Sequence, residues 1–255
     1  MSYGICNLSI IPCRKEPSDK AEMVTQLLFG EHYQIIKETE KWCYIRNAYD
    51  GYESWIDKKQ MVEINAEEFD HLSLNNFPTV GSIFSTIQNP EKNQTSYALL
   101  GSTLPWLSKN RFKIYNTNYI FEGELANAVT SKILSIADKY LNVPYLWGGR
   151  SPFGIDCSGF TQMVFKMVHV KLPRDAYQQA DCGESISLIK NLKSSDLLFF
   201  SNSDGKVIHV GIAVDKNYVI HASGKVRIDK INEKGILNVD SNNISHHFHS
   251  IKRIV

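Results

Sequence analysis

Asp156-Cys157-Ser158-Gly159-Phe160 follows the loop Pro144-Tyr145-Leu146-Trp147-Gly148-Gly149 and opens a run with helical periodicity. Phe160, Val164, Met167 and Val168 recur on one stripe, which places the cysteine at the start of a helix. A thiol there meets the positive end of the helix dipole, which favours the thiolate, the form that attacks. A free cysteine is also among the most buried residue types and often only fills space. This stretch alone leaves both readings open.

The residues downstream begin to separate them. Asp196-Leu197-Leu198-Phe199-Phe200 is a short, nearly all-apolar run expected as a buried strand, with a turn over Asn202 to Gly205. In the next strand, Val207 to Val214, alternation puts Ile208, Val210, Ile212 and Val214 on one face and Val207, His209, Gly211 and Ala213 on the other. Tyr218-Val219-Ile220-His221-Ala222 follows the polar triplet Asp215-Lys216-Asn217. With that triplet as a hairpin loop, Val214 faces Tyr218 and Gly211 faces His221. His209 and His221 are then diagonal neighbours on one face, about 7 Å apart. A bulge would shift this register by one residue.

Two histidines on one face are the parts that an activated thiol needs. One takes the proton and the other holds that imidazole in its tautomer. A lone strand histidine is ordinarily a satisfied structural residue, so the pairing carries the weight. The competing chemistry is a Cys-His-His zinc site, whose ligand types are allowed but whose spacing matches no common short zinc pattern. His246, His247 and His249 could also attract a metal, but with no acid or thiol close in sequence they are expected as solvated loop residues. No metal and no cofactor are expected.

Upstream, Val129, Ile133, Leu134, Ile136, Ala137, Tyr140 and Leu141 mark an amphipathic helix over 129–141, ended by Asn142 and Pro144. Leu172-Pro173-Arg174-Asp175 breaks away from the Cys157 helix. The first third reads as short strands and turns, with Asp50-Gly51 as a strong hairpin signal. Five or so strands in about sixty residues suggest a small, strongly bent barrel. Residues 63–76 carry Glu63, Glu67, Glu68 and Asp70 and read as a linker. Residues 77–125 form a second β-rich domain, read as a divergent copy of the first barrel, although propensity alone supports only a small β domain. The domains are therefore 1–62, the linker 63–76, 77–125 and 126–255.

Composition limits the partners. The chain of 255 residues is 43% hydrophobic and 22% charged with a net charge of +1, ordinary for globular domains with a real core. No long basic run points to nucleic acid or an anionic membrane, and no apolar stretch is long enough to span a bilayer. Met1 to Arg14 lacks the charged and apolar regions of a signal peptide, which favours the cytoplasm. Five cysteines (Cys6, Cys13, Cys43, Cys157, Cys182) without CxxC spacing argue against a disulfide framework or a zinc ribbon, and suit a reducing compartment.

Pro-Tyr-x-Trp-Gly-Gly (144–149), Asp-Cys-Ser-Gly-Phe (156–160), Leu-Pro-Arg (172–174), Gln178-Gln179, Asp196-Leu197, His209-Val210-Gly211-Ile212 and His221-Ala222 together resemble the NlpC/P60 cysteine peptidases over about residues 126–255. Leu27-x-x-Gly30-Glu31, Trp42-x-Tyr44-Ile45 and Asp50-Gly51-Tyr52-x-x-Trp55-Ile56 resemble a bacterial SH3-like domain. The combination is similar to the γ-D-glutamyl-L-diamino acid endopeptidases of dipeptidyl-peptidase VI type. The resemblance implies an α+β protein: a papain-like catalytic domain, its Cys helix packed on an antiparallel sheet, preceded by two small β-barrel SH3-like domains.

It further implies that Cys157 is the nucleophile, His209 the general base and then acid, and His221 the orienting third member. Tyr145 would face Cys157 across the cleft and hold the oxyanion or substrate, with the Cys157 N–H as a further oxyanion donor. The implied substrate is a murein peptide, L-Ala-γ-D-Glu-diaminopimelate, with a free N-terminus. Asp156, with Glu22 and Tyr52 of the first barrel, matches the positions that hold its ammonium, and Ser158 those that hold the D-Glu carboxylate. The plainer readings are a solvated surface acid for Glu22 and a barrel aromatic for Tyr52. Arg174 suits the carboxylate by charge, and suits a structural ion pair equally. Ser54 and Ala176 depart from the family pattern, where a glycine and a small hydroxyl residue are usual. The expected protein is a monomeric, cytoplasmic thiol protease of murein peptide recycling. The alternatives are a hydrolase of intact peptidoglycan and an inactive wall-peptide-binding module.

Overall fold

Alternating strands near the N-terminus close a core around Ile11, Cys13, Leu27, Tyr33, Ile45 and Ile56. In the computed structural model, which describes residues 1–255, these strands are β1 (Ser2–Ile5), β2 (Ile10–Arg14), β3 (Met23–Leu28), β4 (His32–Glu38), β5 (Trp42–Asn47), β6 (Glu53–Asp57) and β7 (Val62–Ile64). They form one antiparallel sheet in the order β3-β2-β6-β5-β4-β1-β7. Gly51, at φ +73°, supplies the left-handed residue of the turn into β6.

The stretch 63–76 is not a linker. It finishes β7, which pairs with β1, and then forms α1 (Ala66–Leu74). Asn65 caps this helix, accepting from the Glu68 amide while the Glu68 side chain accepts from Asn65 in return. Two of the acids that gave the stretch its linker-like composition, Glu67 and Glu68, lie in the first helical turn, where negative charge offsets the macrodipole. Leu72 turns inward and is buried.

Residues 77–125 build a four-stranded antiparallel sheet from β8 (Phe84–Asn89), β9 (Gln94–Leu99), β10 (Arg111–Ile114) and β11 (Thr117–Glu122), ordered β10-β11-β8-β9. Its core is shared: Val80, Ile87, Leu104, Phe112 and Phe121 pack in one cluster with Ile5, Phe29, Ile64 and Leu72. The segments expected as separate domains therefore belong to one compact unit, Met1–Ala128, which also takes in Trp147–Pro152. That excursion includes β12 (Arg150–Ser151) and is held by a buried charge pair. Arg150 donates from Nη1 to Glu31 Oε2 at 2.7 Å and from Nη2 to Oε1 at 2.9 Å. Its main-chain N–H donates to Gln26 Oε1 at 2.8 Å.

The second unit comprises Val129–Leu146 and Phe153–Val255. The helix expected over 129–141 is α2 (Ile133–Asp138), flanked by a 3-10 turn at Thr130–Lys132 and by i→i−3 bonds through Leu141. The apolar stripe is helical, and its ends tighten into 3-10 geometry. After β13 (Gly154–Ile155) come α3 (Cys157–Lys166), α4 (Ala176–Gln179), β14 (Glu184–Ser185), β15 (Leu197–Ser201), β16 (Val207–Ala213), β17 (Tyr218–Ser223), β18 (Lys225–Asn232), β19 (Gly235–Leu237) and β20 (Ile244–Arg253). The strands form a seven-stranded sheet ordered β14-β20-β15-β16-β17-β18-β19, with β20 also paired to β19. Every residue of α3 is buried, and the helix packs on β16 and β17. That is the α+β arrangement of a Cys helix on an antiparallel sheet. No helix is long and apolar enough to cross a membrane.

Candidate active site

Cys157 is the first residue of α3 because Asp156 caps the helix: its Oδ1 accepts the Gly159 amide at 2.7 Å. Asp156 is itself buried, so its charge needs a partner. Arg174 supplies it, with Nη1 donating to Oδ1 at 3.0 Å and Nη2 to Oδ2 at 2.5 Å. Nη1 also donates to Ser158 Oγ at 2.9 Å. Of the two roles open to Arg174, the ion pair is the one formed. Gln179 ties the same segment to the helix, donating to Ser158 O at 3.0 Å and Pro173 O at 2.8 Å.

The thiol of Cys157 is 7% exposed, and burial pushes its pKa up to about 12. The negative charge of Asp156 adds to that, while main-chain bonds at Val210 and Ser158 and the charge of Arg174 pull the other way. The pull of the helix dipole toward the thiolate is outweighed here by desolvation. The thiol's contact with Val210 sets it beside β16, one residue from His209. Tyr145 is within electrostatic reach of the same group. Burial, then the charges at Cys157 and Asp156, raise its phenol pKa, so it remains a hydrogen-bond donor.

The β16–β17 hairpin has the register expected from its loop length, with Gly211 opposite His221 and the Val214 N–H donating to Tyr218 O at 2.9 Å. Gly211 is required here: a Cβ would lie 2.6 Å from Val219 Cγ2 and 2.9 Å from His221 Cβ. His209 Nε2 and His221 Nδ1 are 2.8 Å apart, and the rings stand at 86° to one another. Burial, then the charges of His221 and His246, lower the His209 pKa well below its ordinary value. Burial also lowers that of His221, against the opposing pull of Asp229. Thiol and imidazoles are therefore all neutral near pH 7.

Three further residues stand at this site that the sequence reading did not find. Asp229, on β18, has Oδ2 3.0 Å from His221 Nε2. Arg227, two residues earlier, pairs with Asp229 and with Asp240. His246 is no loop residue. It lies on β20 with its ring stacked on His209, centroids 4.0 Å apart and planes 23° from parallel. Alternation along β20 exposes His247 and His249 and turns His246 inward, and that period-2 pattern was the available signal. Burial first, then the charges of His221 and His247, bring the His246 pKa to about 4.

His209, His221 and His246 bring one ring nitrogen each within 4.8 Å of one another, close enough to suggest a metal. The ring orientations do not suit one. An imidazole lone pair lies in the ring plane, so the two nearly parallel rings of His209 and His246 do not aim their lone pairs at a common point. His209 and His221 also direct their facing nitrogens at each other.

Glu22 and Tyr52 belong to the first unit. Glu22 pairs with Lys15 at 3.3 Å and accepts from Trp147 Nε1 at 2.7 Å. The Tyr52 N–H donates to Asp50 Oδ1 at 3.0 Å. Asp156, Cys157, Ser158 and Tyr145 gather at the head of α3, and His209 and His221 on the sheet beneath it.

Residues 142–242 match the NlpC/P60 family, and residues 13–61 match the bacterial dipeptidyl-peptidase Sh3 domain. The gamma-D-glutamyl-L-lysine dipeptidyl-peptidase of Bacillus subtilis (strain 168) is 30% identical over 217 residues, 78% of this chain and 71% of the relative. The chain belongs to the NlpC/P60 family. Dipeptidyl-peptidase 6 of Lysinibacillus sphaericus is 27% identical over 247 residues, 86% of this chain and 88% of the relative. The murein DD-endopeptidase MepS/murein LD-carboxypeptidase of Escherichia coli (strain K12) is 39% identical over 118 residues, 44% of this chain and 61% of that one. The crystal structure of an NlpC/P60 family protein from Bacillus cereus ATCC 10987 shares the fold, with TM-score 0.83, 20% identity and 99% of both chains covered. The NlpC/P60 stretch of this chain contains Tyr145, Cys157, His209, His221 and Asp229 and ends before His246. Residues 77–125 lie outside both matched stretches.

Proposed function

We propose that this protein is a cysteine endopeptidase cleaving the γ-D-glutamyl–diamino acid bond of murein peptides that carry a free N-terminal L-Ala, in the recycling of released wall fragments. The observation that carries the reading is the Cys157 thiol, held at a helix start beside the strand of His209, whose Nε2 is hydrogen-bonded to His221. Because thiol and imidazole are neutral at rest, His209 takes the Cys157 proton as sulfur attacks the amide carbonyl. The Cys157 N–H, with Tyr145 as a second donor, meets the developing oxyanion. His209 then protonates the departing amine, leaving a thioester. Water, deprotonated by His209, hydrolyses it and releases L-Ala-D-Glu. Asp156 and Ser158 are assigned to the substrate's charged ends. Their shared partner Arg174 would then feel whatever binds them.

The likeness to the Bacillus and Lysinibacillus dipeptidyl-peptidases supports the bond class. The likeness to the E. coli murein endopeptidase over the catalytic part supports the second reading, cleavage of intact peptidoglycan. L-Ala-γ-D-Glu-diaminopimelate, its N-acetylated form and intact peptidoglycan, each incubated with the protein and its Cys157→Ala variant, separate the two. The expected outcome is cleavage of the free peptide only, with a loss of about 10⁴-fold or more in the variant. Equal cleavage of the capped peptide sinks the free-amine requirement, and cleavage of the polymer favours the second reading. No cleavage of any of the three favours a binding module.

A further inference from the structure

We propose that Asp229 is a positioning residue that sets the tautomer of His221 and, through it, that of His209, leaving His209 Nδ1 as the bare nitrogen that receives the Cys157 proton. This rests on the Cys157–His209–His221 reading above. The geometry forces the chain of tautomers one link at a time. Asp229 is fully buried, and donors surround its carboxylate. Oδ1 accepts the Val239 amide at 2.9 Å and Arg227 Nη2 at 3.0 Å. Oδ2 lies 2.7 Å from Arg227 Nε and 3.0 Å from His221 Nε2.

An ionised carboxylate only accepts, so His221 Nε2 must carry its hydrogen. A neutral imidazole has one N–H, so His221 Nδ1 is a lone pair and can only accept. Its partner at 2.8 Å, His209 Nε2, must then be the donor. His209 Nδ1 is left without a hydrogen. When it takes the thiol proton, the new imidazolium already points its Nε2–H along a chain that ends in a negative charge, so no group has to reorient.

The surrounding charges are consistent with this order. Burial works to raise the Asp229 pKa, but hydrogen bonds from His221, the Val239 amide and Arg227 outweigh it and keep the group ionised. Arg227 is pinned from its far side by Asp240 at 2.6 Å. His246 covers His209 from β20, and Asp156 with Arg174 form the charged pair at the Cys157 end.

Nitrogen-15 NMR of the histidine-labelled full chain tests the tautomers directly. The expected spectrum shows His209 and His221 both as Nε2–H tautomers at pH 7. In Asp229→Asn the amide can turn its NH₂ toward His221, which reverses the chain and puts a hydrogen on His209 Nδ1. The expected result is an Nδ1–H population at His209 and a fall in kcat of about 10²–10⁴-fold, with KM within about threefold. An Nδ1–H tautomer at His209 in the unmodified protein overturns the proposal. So does a folded Asp229→Asn protein with kcat within threefold of the parent, since a purely structural role moves stability alone. If Asp229→Asn does not fold, the parent spectrum still decides. Cys157→Ala and His209→Ala run alongside: retained activity in either defeats the triad reading, a failure that the tautomer spectrum does not share.

Discussion

Two buried aspartates flank the reacting groups, each paired with an arginine, and the partners that complete each pair differ. At the head of α3, the partners of Asp156 include Arg174, the Gly159 main-chain amide and the Ser158 hydroxyl. On β18, those of Asp229 are Arg227, the Val239 amide and an imidazole. A main-chain N–H never titrates, whereas an imidazole can. Arg174 is 2% exposed and reaches Ser158 as well, while the Arg227 side chain is 16% exposed and shares itself with the solvated Asp240. On the reading proposed above, the pair at Asp156 holds the head of α3 and a substrate end, and the pair at Asp229 orders the imidazole protons. The first should show itself in stability, the second in kcat.

The sharpest way to break that contrast is at Arg174. Arg174→Met leaves Asp156 buried without its counter-charge, and removing one partner of a buried pair costs about 3–5 kcal/mol. Urea unfolding should register that loss, with the His209–His221 tautomers unchanged. Arg227→Met is the matched change behind the histidines. Asp229 keeps the Val239 and His221 bonds there, so the expected loss is smaller, about 1–2 kcal/mol. It should come with a fall in kcat and little change in KM. If Arg227→Met proved the more destabilising and left kcat untouched, the contrast would be reversed.

How far the sequence revealed this depends on the distance over which each contact acts. The β16–β17 register was legible because a period of two and a short loop leave little freedom, and Gly211 and His221 do face each other. Cys157 at a helix start was legible from its apolar stripe and the Asp156 cap. Asp229 was within reach in principle: Gly224 closes a tight hairpin that pairs His221 with Arg227, which puts Asp229 diagonally beside His221. For His246 the alternation along β20 marks only that the ring turns inward; β20 pairs with β15 from far down the chain, and that long-range pairing is what brings the ring onto His209. The protonation of Cys157 depends on distance in the same way. The helix dipole is local, but the burial that overrides it is built by the whole unit. At α1 the capping box Asn65–Glu68 was present in the sequence, and the acidic composition masked it.

The smallest expected effect is also the most diagnostic of how the imidazole end is tuned. The acid limb of kcat/KM reports the protonation of the free enzyme's base, here His209. Burial first, and then the charges of His221 and His246, hold its pKa below the ordinary 6.5. Lowering the pKa of a base keeps it neutral to lower pH, so the rate should stay level down through pH 6.5 and decline only below it. His246→Ala uncovers one face of the His209 ring to water and removes a neighbour that becomes cationic only in acid, near its own pKa of about 4. Both changes favour the imidazolium, so the pKa rises and the acid limb moves to higher pH, with only a few-fold change in kcat/KM at neutral pH. His246→Phe removes the titratable group but keeps the ring covered, and should move the limb less. Equal shifts in the two variants would assign the tuning to charge instead of burial. No shift in either would reduce His246 to packing, and Asp229 alone would then set the behaviour of the imidazole pair.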